Sequence, residues 1–396
     1  MKKTVAIIGG GSSSLMLAAQ LDENKFTVTI YERNAAPGRK FLVAGDGGFN
    51  LTHSEELPAF ISRYTPPSFF EKIITAFPNK DLQSWLTSIG IETFTGSSKR
   101  IFPKEGTKPI EVLNAFLKVL EQKNVTIKTD HKWKGWKNKD LLFDMIMQPV
   151  TAKADIVVFA LGGSSWKVTG SDGRWINYFA EKGIETVPFQ PSNCAFAINW
   201  SHDFLAMAEG KSLKNISMSK GDKTILGEAV ITKFGLEGGA VYALSGGIRA
   251  QLNSKEEAEV FIDLKPQVTL EQIKEKFEER GDRSIKKLLR DKMNFTDIQI
   301  ELVKSVLSKA EFTDTNTLAE RIKKLPLKIM AAAPIDEAIS TVGGIALNEI
   351  DENFQLKKLP NHFAIGEMLD WDAPTGGYLL QGCFSMGHCL AKHLNS

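Results

Sequence analysis

Cysteine is scarce. Three residues in a chain of 396 cannot build a disulfide framework, and an odd number leaves at least one thiol unpaired. There is no C-x-x-C: Cys383 and Cys389 lie six apart and Cys194 is remote, so a redox disulfide is not expected. Charge of one sign is also lacking. With 49 basic and 47 acidic residues the net charge is +2, too small to advertise a nucleic-acid or membrane partner for the chain as a whole. No apolar run reaches the roughly 18 residues of a membrane-spanning helix. The stretch Val5-Ala6-Ile7-Ile8 ends at three glycines and three serines, too short for a secretory signal. The six histidines (53, 131, 202, 362, 388 and 393) show no metal-ligand spacing, and no metal is expected. Repeats and low-complexity tracts are absent. These exclusions, with 42% hydrophobic and 24% charged residues, leave a soluble cytoplasmic protein of two or three domains.

What is present begins at the amino terminus. Thr4–Ile8 is a continuous apolar run, as in a strand buried on both faces. Ser14–Leu21 suits a short buried helix, and Phe26–Tyr31 alternates into a second strand ending at Glu32. Between the first strand and the helix lies Gly9-Gly10-Gly11-Ser12-Ser13-Ser14. Read as G-x-G-x-x-G, Gly9 permits the tight turn and Gly11 lets the backbone approach a diphosphate. Ser14 occupies the position where a third glycine packs helix on strand. The helix amino terminus offers free N–H groups and the positive end of its dipole. Glu32 stands 21 positions past Gly11, where an acid takes the ribose hydroxyls and would repel a 2′-phosphate. Strand, glycines, helix, strand and acid in this order predict a site for FAD or NAD rather than NADP.

A second glycine-rich loop follows at once: Gly38-Arg39-Lys40, then Gly45-Asp46-Gly47-Gly48-Phe49-Asn50. Simple NAD binding does not need it, whereas a longer cofactor crossing the domain does. Arg39 and Lys40 would neutralise diphosphate there, and Gly45, Gly48 and Asn50 join the candidate contacts. Near the other end, Phe363-Ala364-Ile365-Gly366-Glu367 is a strand–glycine–acid element suited to a ribityl chain, and Gly376-Gly377-Tyr378 opens the last helix. That helix start would face the end of a flavin ring where reduction builds negative charge.

The rest of the chain is read more coarsely. Helices are expected at Pro67–Phe77, Lys80–Ile89, Lys108–Gln122 and Asp172–Lys182, and strands at Val125–Thr129 and Asp155–Leu161. From Pro188 the texture is mainly β, with strands at Ala195–Trp200, Asn215–Met218, Thr224–Ile231 and Glu259–Leu264. Residues 265–330 are helical, and strands near Ile345–Leu347 and Phe363–Gly366 precede a last helix over Gly377–Leu394. The interior pairs Gly238-Gly239 and Gly246-Gly247 lack a strand–helix context, so no second dinucleotide domain is predicted. His53 is a candidate for the active site, Trp166 and Lys167 for the border of a flavin, and Arg100 for an acidic substrate group, each read alternatively as a structural or solvated side chain. Residues 265–330 carry 15 basic and 11 acidic residues; Arg283, Lys286, Lys287, Arg290 and Lys292 form a dense stretch. This is either a solvated helix face or a docking surface for RNA.

These blocks together resemble the three-domain bacterial flavoproteins of the BaiN/RdsA type, NAD(P)/FAD-dependent oxidoreductases. The resemblance rests on Gly9–Ser14, Gly38-Arg39-Lys40 with Gly45–Thr52, Ile101-Phe102-Pro103, and Gly162-Gly163 with Gly170–Gly173. It continues through Gly227–Thr232, Thr341–Gly344, Gly366-Glu367 and Thr375–Tyr378. It implies an α/β fold: a Rossmann-type, glutathione-reductase-like FAD-binding domain (1–187 and 341–396), an inserted β domain (188–264 and 331–340) and a small helical domain (265–330). It also implies FAD contacts from Gly9, Gly11, Ser13, Ser14, Glu32, Arg39, Lys40, Gly366, Glu367 and Gly377, with Gly162 and Tyr378 alongside. Two departures mark a divergent branch. Ser12-Ser13-Ser14 replaces the usual Ala-Ala-Gly, and Ala44–Asn50 has lost an Arg and a Cys of the usual loop. The expected partners are a small organic substrate, NAD(P)H docking transiently, oxygen or an unsaturated acceptor, and RNA for members that reduce a base. No catalytic residue is assigned, and the altered loop leaves open a flavin-binding protein that does no turnover.

Overall fold

Strand β1 (Lys3–Ile8) is apolar from Val5 onward because it has neighbours on both sides and cover on both faces. It pairs in parallel with β2 (Phe26–Tyr31) and with Ile156–Phe159, so that Val5 lies between Val28 and Ile156. His362–Ala364 and Thr126–Lys128 extend this to a five-stranded parallel sheet, in the order His362–Ala364, Ile156–Phe159, β1, β2, Thr126–Lys128. Helix α1 (Ser12–Gln20) joins β1 to β2 as the crossover of a βαβ unit. The computed structural model describes residues 1–43, 49–145 and 148–396. They cluster into two units, Met1–Gln190 with Ile339–Ser396, and Pro191–Ala338.

The first unit is closed by the final helix, Tyr378–Asn395, which packs along α1. The approach is close because Gly387 sits where a Cβ would lie 2.6 Å from Ser13 O and 3.0 Å from Leu17 N. Besides a two-stranded pairing of Thr186–Ser192 with Ser340–Ile345, this unit holds two three-stranded antiparallel sheets. In one, Thr52–His53 pairs with Arg100–Pro103, placing His53 opposite Arg100, and Thr93–Thr95 pairs on the other side. The second, formed by Lys132–Lys137, Asp140–Asp144 and Val150–Ala152, was not expected from the sequence. A bulge between Trp133 and Trp136 breaks the period-two pattern that would have revealed it.

Four other expectations are corrected. Residues 265–330, expected to be helical, end in a strand, Leu325–Ile329, which pairs antiparallel with Ala258–Asp263. The helix expected over Asp172–Lys182 is only Ile176–Ala180, because Gly173 holds φ +62° against Ser164 and Phe189. The strand expected at Ile345–Leu347 ends rather than begins at Ile345, running Ser340–Ile345. Gly238-Gly239 and Gly246-Gly247 do have a strand and helix around them: Gly235–Glu237 leads through Gly238 (φ +109°) into helix Gly239–Leu252. That strand is antiparallel to its neighbours, so the turn is not the parallel βαβ unit of a dinucleotide fold.

In the second unit a seven-stranded sheet runs in the order Leu325–Ile329, Ala258–Asp263, Ser212–Lys220, Lys223–Ile231, Gly235–Glu237, Phe196–Ala197, Ala331–Ala332. Of five helices between Leu270 and Lys323, four bury apolar residues in one core with it, and Lys309–Thr313 adds only the partly buried Phe312. Their starts are written locally: Thr269, Ser284, Thr296, Ser308 and Asp314 each accept a backbone N–H of the first turn. Among the described residues no helix is long and apolar enough to cross a membrane.

Candidate functional site

The carboxyl end of β1 turns at Gly9, whose φ of +101° and contact with Ala160 O (2.4 Å from a would-be Cβ) exclude any side chain. Gly10 follows, with Pro37 2.8 Å from where its Cβ would be, and donates its N–H to Glu32 Oε2 at 2.8 Å. Above Gly11 there is open space, with no atom within 4 Å of a would-be Cβ. Gly11 is also the N-cap of α1 and supplies no side-chain acceptor, and the first turn holds no acidic residue. The first N–H groups of the helix and the positive end of its dipole are therefore left uncapped by any side chain among the described residues. Ser14, in the third-glycine position, is buried and donates its hydroxyl to Gly9 O, so the extra atoms are accommodated by a hydrogen bond. Tight packing of α1 is supplied instead by Gly387 on the opposing helix.

Glu32 is 7% exposed. Its second oxygen accepts the Asn34 backbone and side-chain N–H groups, both at 2.8 Å. Burial pushes its pKa up, against the lowering effect of these hydrogen bonds. The acid is thus anchored directly behind the glycine turn.

The elements expected near the flavin end of a cofactor converge on the same turn. A Cβ on Gly366 (φ +84°) would meet Ser13 Oγ at 2.6 Å, which places Gly366 against buried Ser13. Glu367 is held by Lys40 at 2.8 Å, and Lys40 also donates to Ser165 Oγ at 2.9 Å. Thr341 N–H donates to the other Glu367 oxygen at 3.1 Å. Lys40 therefore has a carboxylate partner that the sequence did not disclose, while Arg39 is exposed. Asn50 is half-buried; Gly45 and Gly48 lie outside the described residues. Cys383 stands beside Gly366, and burial pushes its thiol up to about 12, so it is a neutral thiol rather than a nucleophile.

Two buried hydroxyls have no partner among the described residues: Ser171 Oγ and Thr52 Oγ1. Ser171 Oγ lies 3.8 Å from a would-be Cβ on Gly162, and the Thr52 backbone presses on Gly377, its Cα 2.4 Å from a would-be Cβ there. Native interiors rarely leave such groups unmade. Their positions beside two predicted cofactor glycines, with the uncapped helix start and Glu32, fit an extended cofactor with polar groups along its length, and FAD is such a molecule. Trp166 adds a strained backbone, φ +61° on a bulky residue, next to Ser165 of the Lys40 network.

At the start of the final helix a second cluster forms. Gly376 and Gly377 take φ +113° and +98°, and the Tyr378 hydroxyl then donates to Glu55 Oε2 at 2.7 Å. Arg63 clasps the same carboxylate through Nε at 3.0 Å and through Nη2. The Tyr378 ring stacks on His53 with centroids 5.1 Å apart. Arg100 Nε is 3.5 Å from the point where a Gly376 Cβ would be. The Arg63 and Tyr378 hydrogen bonds hold Glu55 below the usual carboxylate range despite partial burial, and burial with the Glu55 charge raises Tyr378. Burial lowers His53. The arrangement is an ionised carboxylate, a protonated phenol and a neutral imidazole beside an arginine: a set that can orient a polar substrate and hold a proton. His53 and Arg100 were weak candidates in the sequence. Glu55 and Arg63 were missed, since an isolated Glu and Arg eight residues apart carry no signal.

Two of the five cations of the basic stretch are paired with carboxylates, and a third bonds to backbone carbonyls. Lys286 pairs with Glu301 at 2.9 Å, Arg290 with Asp297, and Arg283 donates to the carbonyls of Glu279 and Arg280.

A family model described as "HI0933-like protein Rossmann domain" matches residues 3–393. The chain is 25% identical over 407 residues to a 3-dehydro-bile acid delta(4,6)-reductase of Clostridium scindens, covering 98% of both proteins. It is 24% identical, again over 98% of both, to a ribosomal RNA dihydrouridine synthase of Haemophilus influenzae. Among solved structures, a 3-ketosteroid delta1-dehydrogenase from Sterolibacterium denitrificans shares the fold with a TM-score of 0.51, 12% identity and full coverage of both chains. A flavocytochrome c3 fumarate reductase does so at 0.51 and 13%, covering 100% of this chain and 79% of the other.

Proposed function

The chain belongs to the HI0933-like Rossmann family and has the fold of FAD-dependent oxidoreductases, and on that premise we propose that it transfers hydride between flavin N5 and a small organic substrate. The observation that carries this reading is the Gly9–Gly11 turn opening onto an uncapped helix start, with Glu32 fixed behind it. FAD, when bound, supplies reversible two-electron chemistry at its isoalloxazine ring. The chain's own residues do the rest. The α1 amino terminus binds the diphosphate, Glu32 holds the adenosine ribose, and Gly366 with Glu367 takes the ribityl chain. Gly162, Gly377 and the partnerless hydroxyls of Ser171 and Thr52 line the remainder. The cluster of His53, Glu55, Arg63, Arg100 and Tyr378 orients the substrate and exchanges its proton. The electron partner is NAD(P)H docking transiently, oxygen or an acceptor with a polarised double bond, in a reducing cytoplasmic setting that suits three free thiols.

A second reading takes a nucleobase in RNA as the group reduced, favoured by the name of the Haemophilus influenzae relative. The discriminating experiment is anaerobic mixing of the yellow holoprotein with NADH or NADPH. Rapid bleaching supports a nicotinamide-driven reductase, with reoxidation by a steroid enone or by ribosomal RNA separating the two substrates. A colourless protein that rejects added FAD refutes both.

A further inference from the structure

The second unit contains a cleft of about 490 Å³ lined by Ser212, Lys214, Asn215, Lys265, Gln267, Asn294, Thr296 and Gln299. Its walls hold two lysines, four amides and two hydroxyls; no carboxylate and no apolar side chain contributes. Four of these side chains, those of Lys214, Asn215, Gln267 and Asn294, are exposed and turn their polar groups to solvent rather than to the protein. Among the described residues Lys214 has no partner, and neither do the side-chain amides of Asn215, Gln267 and Asn294. Asn215 and Asn294 adopt φ of +54° and +51°, the left-handed conformation that asparagine tolerates in tight corners. Gln299 is spoken for, bonded to Thr296 N–H and Leu264 O.

The cations are as telling as the amides. Lys265 donates to Asn294 O at 2.8 Å and lies 4.7 Å from the Phe295 ring centroid, but no carboxylate answers it among the described residues. Burial and the neighbouring charge of Lys276 lower its pKa, the mark of a cation without a counter-ion. The nearby acids are engaged elsewhere: Asp263 with Lys323 at 2.6 Å, and Asp297 with Arg290. Lys286 and Arg290 on helix Ile285–Met293 have carboxylate partners, whereas Lys214 and Lys265 have none among the described residues.

We propose that this cleft binds the phosphate ester of a nucleotide, with Lys214 and Lys265 taking the phosphate and Asn215, Gln267 and Asn294 offering amide edges to the base. Two cations lining one cleft with free amide edges match a ligand that is anionic at one end and rich in hydrogen-bonding groups at the other. The site is separate from the cofactor turn and does not depend on the oxidoreductase reading.

The test is calorimetric titration of the FAD-loaded full chain with UMP, uridine and a short oligoribonucleotide. UMP should bind and uridine should not. Lys214→Gln and Lys265→Gln should each weaken UMP about tenfold or more, whereas Lys287→Gln, on the exposed face of Ile285–Met293, should leave it unchanged. Lys214 is exposed and its side chain makes no hydrogen bond or ion pair with the described residues, so its variant should keep the fold, which the melting curve and flavin absorbance verify. An oligoribonucleotide that binds more tightly than UMP, with a salt slope reduced by about 0.7 for each lysine removed, identifies RNA as the source of the phosphate; equal affinities identify a free nucleotide. UMP binding that is absent, matched by uridine, or indifferent to both lysine variants overturns the proposal.

Discussion

Replacing Glu32 by glutamine tests the cofactor reading most directly. An ionised carboxylate offers about four acceptor positions. Three are taken, by Gly10 N–H, Asn34 N–H and the Asn34 side chain, each at 2.8 Å. One remains for a ribose hydroxyl. A hydrogen bond to a charged group contributes about 1.5–3 kcal/mol, so its loss should weaken FAD about 10- to 100-fold at roughly 1.4 kcal/mol per decade. Glutamine also has a single oxygen. Either Gly10 N–H or the Asn34 pair must then face an NH2 group, and a buried donor left unmade costs about 1–3 kcal/mol of apoprotein stability. Glu32→Asp keeps the charge but retracts it, and should fall between. Titrating apoprotein with FAD by fluorescence quenching measures the first effect, and urea unfolding of the apoprotein the second. If stability falls while FAD affinity stays unchanged, Glu32 is only a strut for the glycine turn and the adenosine lies elsewhere.

Other consequences can be checked as readily. Gly377→Ala places a Cβ 2.4 Å from Thr52 Cα at φ +98°, and should cost about 3 kcal/mol or more in urea unfolding. Tyr64→Phe removes the hydroxyl that donates to Tyr378 O at 2.7 Å, and should destabilise by about 1–3 kcal/mol while leaving FAD absorbance intact. His388 stacks on Phe77 with centroids 4.3 Å apart, meets Gln20 Oε1 at 2.6 Å and has its pKa lowered from 6.5 by burial. The unfolded chain therefore takes its proton first, and stability present above that value declines as the pH falls below it. The urea midpoint should drop between pH 7 and 5, less steeply in His388→Gln; an unaltered slope would show that His388 is not a source of it.

The cofactor half of the fold was legible because its signals are local. A continuous apolar strand, three glycines and an acid at a fixed distance specify one turn, and the structure places Gly10 N–H on Glu32. The capping residues Thr269, Ser284, Thr296, Ser308 and Asp314 likewise punctuate the helical segment from within. What escaped depends on distant partners. The close packing expected at the third glycine of the turn is provided by Gly387, more than 370 residues downstream of Ser14, while Ser14 satisfies its hydroxyl on Gly9 O. Lys40 finds Glu367, and Glu55 finds Tyr378, only through the tertiary fold. Helix Gly239–Leu252 was obscured by Gly246 and Gly247, which lower helix propensity in a segment whose helical form is set by packing on the sheet.

The pairing of α1 with Tyr378–Asn395 sets an order of events during synthesis. The glycine turn is synthesised long before its support, since α1 is seated by Gly387 and fastened by Asn395, which bonds both Asp22 N–H and Gln20 O. Residues 191–338 can collapse on their own core while translation continues, whereas the coenzyme cradle must wait, half-built, for the final helix to emerge. Ribosomes stalled before that helix should carry chains that do not retain flavin.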